Sequence, residues 1–153
     1  MTAGNYGARI VDIRDGTSNT IMVAELRAGI SPLDPRGVWA LGFPGSSIVN
    51  AGRNNTNPTP NNYLGTSGQG DELALCQGVS NAFWTPDLGP GQGMGCTGNG
   101  KEMTSAQSRS LHSGGVNVTM CDASVRFIKN SIDQTTWCLL LSKADGFSIP
   151  GEF

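Results

Sequence analysis

The only histidine of this sequence and a nearby aspartate are the residues best suited to acid–base chemistry. His112 precedes Asp122 by ten positions, and serines lie close to both. A histidine, a carboxylate and a serine can together form a nucleophilic triad. However, no G-x-S-x-G turn presents a nucleophile, and the motif has no second carboxylate. We therefore expect structural roles, in which His112 hydrogen-bonds at a strand entry and Asp122 organises a turn. A hydrolase built on His112 is the weaker alternative.

Side-chain oxygens are concentrated between residues 15 and 20. Asp15, Thr17 and Asn19 are of the types that bind calcium. The segment lacks the spacing and the terminal glutamate of an EF-hand loop, and the same residue types are common in caps and turns. A weak calcium site at these three residues is therefore an expectation beside a purely structural interpretation, and no other cofactor is expected.

Two further residue types could mark a site. Glu25 ends an apolar stretch and, if buried, would need a cationic partner, for which Arg109 and Arg126 are the natural candidates. The tryptophans could stack on a ligand. Trp39 and Trp137 lie in apolar patterns typical of a core, which leaves Trp84, in a loop, as the candidate.

The four cysteines bear on the cellular compartment in which the protein is found. Cys76 and Cys96 flank a segment rich in Gly and Pro, where a covalent link would stabilise most, and we expect them to form a disulfide outside the cytoplasm. The alternative is four thiols in a cytosolic protein. The absence of any C-x-x-C pair argues against structural zinc. Pairing of Cys121 with Cys138 is not expected, because they should lie on opposite faces of a sheet.

Composition excludes several classes of protein. Charged residues make up 14 % of the chain, the net charge is −2, and the basic residues are not clustered, so nucleic acid is not an expected partner. No apolar stretch approaches the ~20 residues of a membrane span. The 22 Gly and 8 Pro residues favour turns and loops over a helical bundle.

The C-terminal third carries the clearest pattern. Alternation predicts strands over 116–121 and 124–128 joined by a two-residue loop, with Val118 opposite Phe127 and Met120 opposite Val125. A helix capped by Asp133 should cover that apolar face, and Gly146 should end its segment. The stripe of this helix is Trp137, Leu140 and Leu141. Shorter strands are predicted over 20–26 and 38–41, and long loops over 45–66 and 85–99.

Four strings resemble a known bacterial family. They are DGTSNTIMVAE (15–25), RGVWALG (36–42), MGC (94–96) and RSLHSGGVNVTMCDASVRFIKNSID (109–133). Together they resemble domain of unknown function 1559, a pilin-like or pseudopilin-like family abundant in planctomycetes. The motif of that family is a histidine, nine residues, Asp-Gly, and a Ser-Val-Arg-Phe strand. It is matched here at His112, Asp122, Ser124, Arg126 and Phe127, but Ala123 stands in place of the glycine. A type I′ turn would need φ > 0 there, which implies another turn type or strain.

The resemblance implies an α+β fold. It would be a twisted antiparallel sheet with a short C-terminal helix and long Gly/Asn/Pro-rich loops, like a pseudopilin head, over residues 1–153 as a single domain. The family's leader and hydrophobic N-terminal helix have no counterpart in the sequence, so membrane insertion is not expected. The implied function is a non-catalytic surface or secretion-system component outside the cytoplasm, whose partners are other protein subunits in a filament or homo-oligomer.

The alternative is a module that binds a carbohydrate or small solute, as an older label for the family suggests. A deep pocket with convergent polar groups would favour this alternative or the hydrolase.

Overall fold

The computed structural model describes residues 2–3, 6–29, 32, 34–42, 46–49, 59–61, 71–72, 94, 96–97, 106–151 and 153. The strands, in chain order, are β1 (Thr2–Ala3), β2 (Tyr6–Gly7), β3 (Ile21–Ala24), β4 (Asp71–Glu72), β5 (Cys96–Thr97), β6 (Gly115–Met120) and β7 (Val125–Lys129). One α-helix, α1 (Gln134–Leu141), follows them, and short 3₁₀ turns span Ile10–Asp12 and Thr17–Asn19.

A three-stranded antiparallel sheet in the order β3-β6-β7 forms the centre of the described fold. β1 pairs with β2 in an antiparallel ribbon, and β4 pairs with β5 in a parallel one. With α1 packed on its central sheet, the chain has a small α+β fold, as expected. The strand predicted over 20–26 is present in its central part, as β3.

The core lies between one face of this sheet and the helix. Its buried members are Ile21, Val116, Val118, Met120, Ile128, Trp137 and Leu140. Alternation places the three apolar β6 residues on one face, and this part of the prediction is confirmed. The indole of Trp137 is fully buried, so the helix does cover the hairpin.

Helix α1 begins at the predicted cap but ends earlier than predicted. The Asp133 carboxylate accepts hydrogen bonds from the backbone N–H of Thr136 at 2.9 Å and from its hydroxyl at 3.2 Å. This is the predicted N-cap, which satisfies a donor that the helix leaves unpaired. The helix ends at Leu141, because Ser142 is already in an extended conformation. Gly146, with φ +79°, lies five residues beyond that end, so the prediction that it ends the segment is wrong.

The register of the hairpin differs from the prediction by one residue. Val118 lies opposite Arg126, and Thr119 lies opposite Val125. Because side chains alternate along a strand, this shift exchanges the two faces of β7. Ile128 is therefore the buried residue, whereas Val125 is 70 % and Phe127 is 47 % exposed. The prediction that Val125 and Phe127 lie in the core is wrong.

The cause of the shift is a three-residue turn. The N–H of Met120 donates to the carbonyl of Ser124 at 2.8 Å, and the N–H of Ala123 donates back to the Met120 carbonyl at 3.0 Å. Three-residue hairpin loops place their last residue in the left-handed region. Ala123 has φ +69°, whereas Asp122 does not have a positive φ. The turn is thus not type I′, and the residue that replaces the family's glycine stands where a glycine would be least strained.

Two predictions about residues 38–41 are wrong. They form a turn rather than a strand, with the N–H of Leu41 donating to the carbonyl of Val38 at 3.0 Å. Trp39 is not in the core, because 87 % of it is exposed. A run of four apolar residues carries no period that separates a buried strand from an exposed turn.

The remaining predictions concern the loops, the cysteines Cys121 and Cys138, and a membrane span. The loops predicted over 45–66 and 85–99 fall mostly outside the described residues. Cys121 and Cys138 are free thiols. Among the described residues, no helix has the length and apolar character needed to cross a bilayer.

Candidate functional site

The Glu25 carboxylate occupies a position that a backbone carbonyl normally fills. The N–H of Glu25 donates to the carbonyl of Asn117 in β6, but the Glu25 carbonyl turns away and accepts from the N–H of Arg109 at 2.9 Å. The N–H of Asn117 donates instead to Glu25 Oε2 at 2.7 Å. Since a buried ladder N–H requires an acceptor, the side chain continues the pairing beyond the last residue of β3.

His112 reaches the same carboxylate from the segment before β6. Its Nε2 lies 3.1 Å from Glu25 Oε1, and the Asn117 side-chain amide donates to that oxygen at 3.2 Å. The His112 side chain is 56 % exposed and that of Glu25 32 %. The backbone N–H of His112 donates to the hydroxyl of Ser110 at 2.9 Å. The histidine thus links the strand entry to the end of β3.

The carboxylate is held in its charged form by these donors. Partial burial acts to raise the pKa of Glu25, but the hydrogen bonds from Asn117 and the neighbouring His112 outweigh it and hold the pKa below its usual value. The prediction that Arg109 or Arg126 pairs with Glu25 is wrong. Arg109 contributes its backbone N–H, and its guanidinium lies elsewhere.

An open groove of about 420 Å³ lies beside Glu25 and His112. We refer to it as the Glu25 groove; its lining residues are Glu25, Leu26, Arg27, Ala28, Arg109, Ser110, Leu111 and His112. The groove brings together a carboxylate, an imidazole and a hydroxyl with apolar side chains. The Ser110 hydroxyl, however, donates to the Gly115 carbonyl at 2.8 Å. Its proton is thus directed at the backbone, which is not the arrangement of an activated nucleophile.

Asp122 lies at the opposite end of β6 from His112, because the whole strand separates them. One of its oxygens accepts from the N–H of Ser124 at 2.9 Å and from its hydroxyl at 2.7 Å. These bonds lower the pKa of the Asp122 carboxyl and close the hairpin turn. The structure therefore does not bring His112 and Asp122 of the family motif into one site.

The other motif residues follow the sheet. Arg126, opposite Val118, places its guanidinium 4.7 Å from the ring centre of Phe153. Phe127 lies on the face that α1 does not cover, where its ring lies over Gly115; a Cβ there would meet the ring at 2.7 Å.

The residues proposed for calcium have structural partners. Asp15 accepts hydrogen bonds from the N–H groups of Asp145 and Gly146, at 2.8 and 3.1 Å. The side chain of Asn19 donates to the Asp15 carbonyl at 3.4 Å, and the Thr17 carbonyl accepts from the N–H of Asp122 at 3.1 Å. Asp15 thereby fastens the segment after α1 to the start of the chain. The described residues contain no group of three His, Cys, Asp or Glu side chains that could hold a metal ion, and calcium here stays a prediction.

A buried ionic network lies next to the groove, and sequence reasoning did not anticipate it. Arg109 donates to both oxygens of Asp71, at 2.9 and 2.8 Å. Arg36 donates to Asp71 at 2.8 Å and to both oxygens of Asp34, and one of its nitrogens reaches the Met94 carbonyl. All four charged side chains are buried. The network thus joins four segments that are distant in sequence.

The charges of the network stabilise one another. Burial alone would raise the pKa of Asp71, but Arg109 and Arg36 hold it below its usual value. Burial likewise opposes the charge on Arg36, yet Asp34 and Asp71 raise its pKa. One signal was present in the sequence, since Arg36 and Arg109 each begin a string that resembles the family. Their partner Asp71 lies in none of those strings.

Two predicted residues cannot be placed. Trp84 and Cys76 lie outside the described residues, and only the backbone of Cys96 is described, in β5. The disulfide between the two cysteines therefore stays a prediction.

A comparison with protein families identifies the chain at the level of its family. Residues 1–135 match the model described as "Protein of unknown function (DUF1559)". The chain therefore belongs to this family, as its motifs indicated. Neither the curated proteins nor the solved structures contain a significant match.

Proposed function

We propose that this chain is a non-catalytic, pilin-like or pseudopilin-like component of a cell surface or secretion system, located outside the cytoplasm. The observation that carries the proposal is that the polar residues shared with the family hold the backbone of the sheet in place. Glu25 completes the β3–β6 ladder, Asp122 closes the hairpin turn, and His112 links the strand entry to β3. Each supports the backbone of the sheet, and such a scaffold suits a domain whose task is to present a surface to other subunits.

The distribution of charge supports the same proposal. Asp34, Arg36, Asp71 and Arg109 form buried ion pairs, so their charged groups bind one another. A buried ion pair adds little net stability compared with apolar packing, and we propose that this network serves to specify one arrangement of the chain. In a chain with 22 Gly residues, fixing the described segments that carry Asp34, Asp71 and Arg109 is a structural requirement.

A second candidate function is solute binding in the Glu25 groove. Its volume of about 420 Å³ falls within the range of small-molecule sites, and Glu25 and His112 could orient a polar ligand there. Equilibrium dialysis against a set of labelled sugars and amino acids would test it. Binding that is lost in Glu25→Gln would favour this function over the structural one.

The experiment that tests the main proposal separates stability from turnover. Wild type and His112→Ala would be assayed with chromogenic esters, peptides and glycosides, and melted in parallel. We expect no turnover above buffer in either protein, and a small decrease of the melting temperature in the variant. Turnover by the wild type that His112→Ala abolishes at an unchanged melting temperature would refute the non-catalytic function.

A further inference from the structure

Trp39 is the more exposed of the two tryptophans that the structure describes, and the residues next to it are held by hydrogen bonds and ion pairs. Trp39 lies in the turn 38–41, which we call the Trp39 turn, with Val38 and Leu41 partly exposed on either side. Contiguous exposed apolar residues are a feature of interaction surfaces, and tryptophan is among the residues that dominate binding energy. Because Trp39 is exposed together with Val38 and Leu41, this turn is a candidate for such a surface.

Ion pairs and hydrogen bonds hold the residues on both sides of the Trp39 turn. Arg36, three residues before Trp39, belongs to the buried ionic network. Gly37 donates to the Ser46 carbonyl at 2.8 Å, and the Ser47 hydroxyl donates to the Leu41 carbonyl at 2.7 Å. A preorganised side chain loses little conformational freedom on binding, so the anchored turn is suited to docking.

The Glu25 groove begins directly beside Gly37, which precedes the Trp39 turn. Gly37 has φ +72°, and a Cβ there would lie 2.7 Å from the Cα of Ala28, which lines the groove. Leu26, Ala28 and Leu111 give the groove apolar surface, and Leu111 is itself largely exposed. Trp39 does not fill the groove of its own chain, because it is almost wholly exposed.

The chemistry of the groove matches an indole. The apolar residues can cover the ring, the cation of Arg27 can contact its face, and Glu25 can accept the indole N–H. The Trp39 turn has no charged side chain between residues 37 and 42. The turn therefore has few polar groups with which to bind a sugar. Its apolar side chains are better suited to a groove on a protein.

We infer that the partner of the Trp39 turn is a second copy of this chain, in which Trp39 of one copy enters the Glu25 groove of the other. Because turn and groove adjoin, a two-fold dimer with two such contacts satisfies both copies. The inference deepens the proposed structural function and rests on it, since it names the contact through which subunits associate.

Sedimentation velocity over a concentration series reaching about 1 mM tests the inference with four proteins. They are the wild type, Trp39→Ala, Leu111→Arg, and Phe147→Ala as a control that removes an exposed aromatic residue outside the turn and the groove. We expect the wild type and the control to associate alike. The two variants should weaken association about 30-fold or more, the effect of losing a central binding residue.

A mixing experiment makes the test specific. Trp39→Ala keeps an intact groove and Leu111→Arg keeps an intact tryptophan, so an equimolar mixture should recover one contact and form a mixed dimer. The inference is overturned if the wild type stays monomeric throughout the series, if Trp39→Ala associates like the wild type, or if the mixture forms no dimer. An associating wild type with an unaffected Trp39→Ala would leave the structural function standing and reject only this contact. Turnover dependent on His112 would reject the function itself.

Discussion

Arg109 and Asp71 form a bidentate ion pair, with both side chains buried and N···O distances of 2.9 and 2.8 Å. Asp71 also accepts from Arg36 and from the backbone N–H of Gln107 at 3.0 Å. Asp71 thus contacts two buried guanidinium groups, of which that of Arg36 also pairs with Asp34, and it orders the segment that leads to His112.

Asp71→Asn should destabilise the protein by about 3–5 kcal/mol, because it removes the buried carboxylate to which two buried guanidinium groups donate. Urea unfolding followed by circular dichroism measures the loss. Asp12→Asn is the matched control, since Asp12 pairs with the exposed Arg9 at 3.1 Å, and exposed pairs contribute little. Equal losses in the two variants would mean that the buried network does not support the fold.

Ala123→Gly should stabilise the chain by up to about 1 kcal/mol, because the strain that is relieved exceeds the cost of the freedom that glycine adds to the unfolded chain. An L-residue in the left-handed region is strained by about this amount, and glycine is not. The control is Ala144→Gly, at an exposed position without a positive φ, where the added freedom of glycine in the unfolded chain should be neutral or slightly destabilising. A loss of stability in Ala123→Gly would contradict the three-residue turn.

Trp137→Ala should cost about 3–5 kcal/mol, as expected for a fully buried aromatic residue. Phe127→Ala should cost clearly less, because about half of Phe127, 47 %, remains exposed. The two urea midpoints, compared at equal slope, decide between the hairpin registers. With Val118 opposite Phe127 the two losses would be similar, so similar losses would refute the observed register.

The sequence predicted the elements whose signals are local. The alternation of Val116, Val118 and Met120, the cap at Asp133 and the stripe of α1 each depend on residues a few positions apart, and all three are present. The register failed because it depends on whether the turn has two or three residues, and Ala123 does not distinguish these cases. One residue of loop length was enough to exchange the faces of β7.

The candidate site was less predictable. His112 and Asp122 were identifiable from their motif, but their separation by the length of β6 follows only from the hairpin. The ion pairs of Asp71 depend on contacts 35 and 38 positions apart in sequence, which no local pattern specifies. Trp39 was misassigned because an apolar tetrapeptide is equally compatible with a buried strand and with an exposed turn.

Acid should destabilise the protein through its carboxylates. The pKa values of Asp71 and Glu25 are lower in the folded chain than their ordinary values. Their contribution is therefore complete above the unfolded values, near pH 4, and is lost as the pH falls through the folded ones. Urea unfolding at a series of pH values should show stability decreasing below about pH 5, and less steeply in Asp71→Asn. An identical slope in that variant would show that Asp71 does not bind fewer protons in the folded state.

The unfolding free energy of Glu25→Ala, measured beside that of His112→Ala, tests most directly whether the polar residues around the groove form a scaffold. Glu25→Ala removes the acceptor of the Asn117 N–H, so we predict a loss of about 1–3 kcal/mol. His112→Ala removes only a partly exposed contact and should cost less than about 1 kcal/mol. The scaffold account is contradicted if Glu25→Ala unfolds at the same urea concentration as the wild type, because the carboxylate would then not hold β3 against β6.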